Sequence, residues 1–159
     1  MILRPDKNLK NIYEITPDML HKMGIKAMLL DLDSTTLQSK TGKFTEKTLE
    51  WFKQFSKDFY VAIVTNNKKP EYIETVEQTA PCKVYSDAKK PCPHIINQIK
   101  HGMFMSGREM VVVGDRPLTD ILAGKLARTK TILVGSINDA ENIPTKFVRF
   151  LERLFIFPF

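Results

Sequence analysis

Three short segments of this chain are almost entirely apolar, and each is followed at once by polar side chains. The segments fall within residues 26–32, 59–64 and 110–114, and they are rich in Val, Ile, Leu and Met. Apolar runs without polar alternation are typical of strands buried on both faces, as in a parallel sheet. We therefore predict strands at these three places.

Helix signals separate these strands along the chain. Helices are predicted to begin after Thr16 (ending at Gly24), after Thr45, at Pro70, at Pro91 (ending near Gly102), near residue 118 and after Asn142. Further strands are predicted at residues 83–85 and 131–134. This alternation predicts an α/β fold with a doubly wound, mostly parallel sheet. At 159 residues, the chain is expected to form a single domain.

The polar residues that follow the apolar segments are those that phosphate chemistry uses. Asp31 and Asp33 follow the first segment, Thr65 and Asn66 follow the second, and Asp115 follows the third. The carboxyl ends of parallel strands lie at one edge of a sheet, where ligands bind. We therefore expect these side chains to meet in one site.

Asp31 and Asp33 would share a face if the strand continued through them, because strand side chains alternate. Two carboxylates that close repel each other unless a cation neutralises them or one holds a proton. Oxygen-rich acidic sites favour Mg²⁺, which usually keeps waters and substrate phosphate as its remaining ligands.

Taken together, these residues resemble the four motifs of the haloacid dehalogenase (HAD) phosphatases. The matching residues are Asp31, Asp33, Thr35, Thr65, Lys90, Gly114, Asp115 and Asp120. The flanking segments resemble the YqeG branch of HAD subfamily IIIA, which includes phosphatidylglycerophosphate (PGP) phosphatases. Thr36 departs from the pattern, because the family usually has Leu there.

The resemblance implies a role for each carboxylate. Asp31 would be the nucleophile that forms an aspartyl-phosphate, and Asp33 would be the general acid and then the general base. Asp31, Asp115 and the backbone carbonyl of Asp33 would hold Mg²⁺. Asp120 would be a second acidic residue that orients Lys90 or a metal-bound water.

The resemblance also assigns the groups that contact the phosphate. Thr65 and the backbone amide of Asn66 would bind phosphoryl oxygens, and Lys90 would neutralise the charge that develops on them. Thr35 and Gly114 belong to the motifs as supporting residues.

The spacing of the motifs indicates an open site. Residues 34–44 are too few for a cap domain, and one helix and one strand account for residues 65–90. The predicted fold therefore has no large cap, which suits a phosphate carried on a lipid surface, a nucleic-acid end or a protein.

Composition and net charge restrict the class of binding partner less than the motifs do. The net charge of +6 favours acidic partners such as phosphate esters or an anionic membrane. Nucleic acid is not expected, because the basic residues are not interleaved with aromatic ones. The Phe-rich residues 147–159 carry Arg149 and Arg153, and they would form either a helix packed on the sheet or a peripheral membrane anchor.

The expected compartment is the cytoplasm, with contact at the inner membrane face as a hypothesis. No apolar run has the length of a membrane span, no secretory signal is visible, and Cys82 and Cys92 do not suggest a disulfide framework. The sequence thus predicts a Mg²⁺-dependent phosphatase for PGP or another large substrate. A nucleic-acid-end or sugar phosphatase of the same superfamily, and a non-catalytic basic binding protein, remain as alternatives.

Overall fold

A computed structural model describes residues 3–137, and these form one sheet of six parallel strands with helices packed around it. The strands are β1 (Lys7–Leu9), β2 (Ala27–Leu30), β3 (Tyr60–Val64), β4 (Lys83–Tyr85), β5 (Met110–Gly114) and β6 (Lys130–Val134). Their order across the sheet is β1-β6-β5-β2-β3-β4, and every neighbouring pair is parallel. The predicted doubly wound α/β fold is confirmed.

The helices begin largely where the capping residues predicted. They are α1 (Pro17–Lys22), α2 (Glu46–Lys53), α3 (Pro70–Thr79), α4 (His94–Gly102) and α5 (Leu122–Leu126). Thr16 Oγ1 accepts the Met19 N–H at 3.2 Å, and Thr45 Oγ1 accepts the Thr48 N–H at 3.2 Å. Both threonines are therefore N-caps, as predicted.

The structure corrects the start of one helix and adds two features that the sequence did not predict. Helix α4 begins at His94 rather than Pro91, because residues 90–92 form a turn and a bend before the helix. The helix predicted near residues 118–127 is present, and its first part, residues 117–121, is a π-helical turn that leads into α5. Strand β1 was not predicted, since three residues give too short a pattern to recognise.

Two apolar layers cover the two faces of the sheet. Leu30 and Val113 belong to the layer that contains Trp51 of α2, whereas Leu29 and Val112 belong to the layer that contains helix α4. Successive residues of β2 and β5 thus enter opposite layers, and both strands are buried throughout. This packing fixes the carboxyl ends of β2 and β5 beside each other.

The connections at the carboxyl edge of the sheet are short. Residues 31–45 form a loop between β2 and α2, and α3 lies between β3 and β4. Within residues 3–137 neither connection carries a cap domain, as predicted. In the same range, no helix combines the length and apolar character that crossing a bilayer requires. The predicted helix after Asn142 and the Phe-rich residues 147–159 lie outside the described residues.

Candidate active site

The residues predicted to act on phosphate converge at the carboxyl edge of β2, β3 and β5. Asp31 follows β2 and donates its backbone N–H to the carbonyl oxygen of Val113 in β5, at 2.9 Å. An open cavity of about 300 Å³ lies at this edge. Its walls include Asp31, Asp33, Thr65, Asn66, Lys90 and Asp120.

Lys90 joins two of the carboxylates. Its Nζ atom lies 2.8 Å from Asp31 Oδ1 and 2.7 Å from Asp120 Oδ1, and its side chain is only 3% exposed. Burial alone would lower the pKa of Lys90, but the charges and hydrogen bonds of Asp120 and Asp31 outweigh it and raise that pKa. The ammonium group therefore stays charged inside the site.

Asp120 is held by backbone as well as by Lys90. Its Oδ2 atom accepts the N–H groups of Asp115 and Arg116, each at 3.1 Å. Burial and the neighbouring charge of Asp31 raise the pKa of Asp120, whereas Lys90 opposes that rise. The π-helical turn brings Asp120 back over the end of β5, where Gly114 leaves room for its carboxyl group.

Three carboxylates form one acidic cluster. Asp31, Asp115 and Asp120 each offer an oxygen, and these oxygens all lie within 4.8 Å of one another. Thr35 Oγ1 lies 3.1 Å from Asp115 Oδ1 and 3.3 Å from Asp31 Oδ2, so its hydroxyl can donate to either. With all three carboxylates ionised, the single charge of Lys90 leaves the cluster negative. A compact set of hard oxygen donors with negative charge fits a divalent cation such as Mg²⁺.

Asp33 does not belong to this cluster. The sequence predicted a strand over residues 26–32, but β2 already ends at Leu30. Asp31 and Asp33 therefore lie in the loop that follows the strand. Both still line the cavity. Asp33 Oδ1 accepts a hydrogen bond from Tyr72 Oη of α3 at 2.5 Å. Burial and the hydrogen bond to Asp33 raise the pKa of Tyr72, so the phenol keeps its proton and donates it.

Thr65 and Asn66 follow β3, as predicted, but they have different contacts. Thr65 is buried, and its Oγ1 accepts the Asn67 N–H at 3.1 Å, which leaves its hydroxyl proton for another acceptor. The Asn66 side chain instead pairs with the backbone of Lys90. Its Oδ1 accepts the Lys90 N–H at 2.7 Å, and its Nδ2 donates to the Lys90 carbonyl at 2.9 Å. Substrate binding by the backbone amide of Asn66 stays a prediction.

Thr36 shows why the departure from the family pattern is tolerated. Its side chain is fully buried, and its hydroxyl lies 3.0 Å from the Leu32 carbonyl and 3.1 Å from the Asp31 carbonyl. A buried hydroxyl costs little when it is hydrogen-bonded. Thr36 therefore stabilises the turn that carries Asp31.

Sequence reasoning missed several residues at the cavity. Ser39, Arg116 and Thr119 also line it, and Tyr72 contacts Asp33 from α3. Arg116 and Thr119 flank predicted site residues in the sequence, which was the available signal. Tyr72 gave none, because a half-buried tyrosine on an amphipathic helix is unremarkable.

The family comparison agrees with this geometry. A family model described as "Mitochondrial PGP phosphatase" matches residues 1–136.

The chain belongs to this family of HAD phosphatases.

A "Probable phosphatase YqeG" of Bacillus subtilis (strain 168) is 28% identical over 149 residues, which cover 94% of this chain and 87% of the relative. The predictions of a YqeG-type HAD phosphatase and of an enzyme are both confirmed.

Solved structures support the fold. An uncharacterized protein from Listeria monocytogenes serotype 4b aligns with a TM-score of 0.57 at 14% identity, over 74% of this chain and 85% of that protein. A predicted phosphoglycolate phosphatase from Haemophilus somnus 129PT aligns with a TM-score of 0.51 at 13% identity, over 82% and 98% of the two chains. At these identities, the likeness concerns the fold alone.

Proposed function

We propose that this phosphatase is a Mg²⁺-dependent phosphomonoesterase that acts through an aspartyl-phosphate on Asp31. The observation that carries the proposal is the arrangement of Asp31, Lys90 and Asp120. Lys90 binds Oδ1 of Asp31, and Oδ2, which is 3.3 Å from the Thr35 hydroxyl, would be the oxygen that attacks phosphorus. A carboxylate held by a charged partner at the wall of an open cavity is oriented for reaction before substrate arrives.

Residues that line the cavity supply the nucleophile and the proton-transfer group for each step. Asp31 Oδ2 forms a bond to phosphorus as the bond to the leaving oxygen breaks, and Asp33 donates its proton to that oxygen. In the second step, Asp33 takes a proton from the water that cleaves the aspartyl-phosphate. Lys90 and the Thr65 hydroxyl stabilise the phosphoryl oxygens in both transition states.

The acidic cluster supports the proposed metal requirement. Asp31, Asp115 and the backbone carbonyl of Asp33 would hold Mg²⁺, and Asp120 places a further carboxylate oxygen beside them. Bound Mg²⁺ would offset the repulsion between the carboxylates and an incoming phosphate dianion.

The proposed substrate is PGP or another large phosphorylated molecule. Family membership supports PGP, and the connections without a cap leave the cavity accessible to a phosphate on a membrane surface. A cytoplasmic protein in peripheral contact with the inner membrane face would meet such a substrate. Fold and motif alone do not fix specificity, so a comparison of substrates tests this part of the proposal.

The test is phosphate release by purified protein from PGP in mixed vesicles, compared with sugar phosphates, nucleotides and phosphorylated DNA ends. We expect Mg²⁺-dependent turnover with PGP preferred, and no turnover by Asp31→Asn. A higher kcat/KM for sugar or DNA-end phosphates would replace the substrate with one of the alternatives. No turnover of any phosphomonoester with Mg²⁺ would favour a non-catalytic binding protein.

Membrane contact is tested separately. The full chain should sediment with anionic vesicles at low salt, where electrostatic attraction is strongest, and deletion of residues 155–159 should weaken this. Activity on a soluble phosphomonoester should survive the deletion. If the full chain does not sediment with anionic vesicles, the proposed membrane contact is wrong, whereas the proposed phosphatase activity is unaffected.

A further inference from the structure

Tyr72 connects helix α3 to a proposed catalytic carboxyl group from a distant part of the sequence. Its Oη atom donates to Asp33 Oδ1 at 2.5 Å, although the two residues are 39 positions apart. The side chain is half-buried, and none of the predicted motifs includes it. This hydrogen bond restricts the rotamer of Asp33 whether the carboxyl group is ionised or carries a proton on its other oxygen, Oδ2.

The loop that follows Asp33 passes close to the same phenol group. The backbone N–H groups of Lys40 and Gly42 lower the pKa of Tyr72, but burial and the hydrogen bond to Asp33 outweigh them. The Lys40 N–H also lies 3.4 Å from Asp33 Oδ1. A β-carbon on Gly42 would lie 3.3 Å from the Tyr72 ring, so ring and loop are in direct contact. Helix α3, the loop and Asp33 therefore meet around the Tyr72 side chain.

This arrangement separates two carboxylates that are neighbours in sequence. Asp31 points to Lys90 and to the acidic cluster, whereas Asp33 Oδ1 is engaged by Tyr72. Without the Tyr72 hydroxyl, the Asp33 carboxyl group would lose the side-chain contact that holds Oδ1 in this orientation. With Oδ1 occupied, Asp33 Oδ2 is the oxygen left to meet a leaving group.

We propose that Tyr72 is a positioning residue that holds the carboxyl group of Asp33 at the leaving-group side of the cavity. The proposal rests on the proton-donor function of Asp33 proposed above. In the step concerned, the Asp31–phosphorus bond forms, the bond from phosphorus to the leaving oxygen breaks, and the proton of Asp33 moves to that oxygen. Tyr72 keeps its own proton throughout and contacts neither substrate nor phosphorus.

The test uses phosphate monoesters whose leaving groups differ in pKa, from 4-nitrophenyl phosphate to an alkyl phosphate. The parameter is kcat/KM, because it reports phosphoryl transfer to the enzyme even when hydrolysis of the intermediate limits kcat. A poor leaving group needs a proton in the transition state, whereas 4-nitrophenolate needs little help. Loss of positioning should therefore appear mainly with the alkyl ester.

Four proteins are compared with wild type: Tyr72→Phe, Asp33→Asn, the double variant and Tyr60→Phe. Tyr60 is a matched control, because its hydroxyl pairs with Tyr85 at 3.2 Å and it begins β3, at the sheet edge opposite Thr65. We expect Tyr72→Phe to lower kcat/KM for the alkyl ester about tenfold more than for 4-nitrophenyl phosphate. This is smaller than the roughly 10²–10⁴-fold that a general acid supplies, because Asp33 itself is still present. Tyr60→Phe should lower neither value. In the double variant, Tyr72→Phe should add nothing to Asp33→Asn.

Other outcomes overturn the proposal. An equal loss for both esters would show that Tyr72 serves only the fold, and no loss would show that Asp33 needs no positioning. Additive effects in the double variant would show that Tyr72 acts without Asp33. If Asp33→Asn itself shows no dependence on the leaving group, the proposed function of Asp33 fails, and the Tyr72 proposal fails with it. Circular dichroism of each variant separates these cases from loss of folding.

Discussion

Gly114 and Asp120 fit together only because Gly114 has no side chain. A β-carbon at position 114 would lie 2.2 Å from both Cγ and Oδ2 of Asp120, well inside any allowed contact. Asp120 is buried, and its carboxyl group is held by Lys90 and by two backbone N–H groups. The glycine of this motif therefore makes room for a neighbouring carboxyl group.

Gly114→Ala should destabilise the protein and disturb the acidic cluster, because Asp120 must move. Overpacking of this kind costs about 1–3 kcal/mol in the free energy of unfolding. Gly102→Ala is the matched control, because Gly102 ends α4 and its β-carbon would meet nothing within 4 Å. Denaturant unfolding of both variants checks this. Equal stability changes in the two would contradict the steric explanation.

Asp31→Asn should abolish phosphatase turnover while leaving the fold intact. The substitution replaces one carboxylate oxygen with nitrogen, and we expect a loss of at least about 10³-fold in kcat, or about 4 kcal/mol of transition-state stabilisation. Asp58→Asn is the control, since that carboxylate is exposed and lies near His21, outside the cavity. Residual activity within tenfold of wild type would exclude Asp31 as the nucleophile.

Mg²⁺ should raise the melting temperature of the wild-type protein in the absence of substrate. A cation at ten times its Kd stabilises the folded state by about 1.4 kcal/mol, provided that it does not bind the unfolded chain. Asp115→Asn should reduce this shift, because it removes one carboxylate from the cluster, whereas Asp58→Asn should keep it. Scanning calorimetry with and without Mg²⁺ measures the effect. A shift that is unchanged in Asp115→Asn would place the cation elsewhere.

Asp6 should stabilise the edge strand β1 in a pH-dependent manner. Its Oδ2 atom accepts the Thr131 N–H at 2.8 Å and lies 3.1 Å from Lys125 Nζ. Burial raises the pKa of Asp6, but Thr131 and Lys125 together outweigh it, so that pKa is lowered from 3.8. A carboxyl group whose pKa is lower in the folded state contributes stability above its unfolded pKa and loses it as pH falls through the folded pKa.

The measurement compares wild type with Asp6→Asn by denaturant unfolding at several pH values. The stability difference should be constant from about pH 7 to pH 5 and should shrink below about pH 4. Asp18→Asn is the control, because Asp18 forms an exposed ion pair with Lys22 and should show little effect. A difference that grows on acidification would contradict the lowered pKa.

The strands and the residues at their carboxyl ends could be predicted from the sequence, because the apolar pattern and the geometry of a parallel sheet together determine them. The runs that became β2, β3 and β5 are buried on both faces, and parallel pairing brings their carboxyl ends to one edge. Asp31, Thr65 and Asp115 were therefore predictable as neighbours. The capping threonines were predictable too, because their hydrogen bonds are local.

Contacts between distant side chains were not predictable in the same way. The bond from Tyr72 to Asp33 depends on how α3 packs beside the loop after β2, and no local pattern encodes that. The sequence placed Asn66 at the site but did not predict that its side-chain amide forms two hydrogen bonds with the backbone of Lys90. Strand β1 depends on Asp6 and Thr131, which are 125 residues apart.

The hydrogen bonds between the Asn66 side chain and the Lys90 backbone are compatible with other side chains at position 90. Both hydrogen bonds end on the backbone of residue 90, so they do not depend on which side chain that residue carries. The Asn66 side chain thus holds the backbone of the loop, whereas the Lys90 side chain supplies the positive charge. A substitution of Lys90 would therefore remove the charge partner of Asp31 and Asp120 but keep both hydrogen bonds that hold the loop in place.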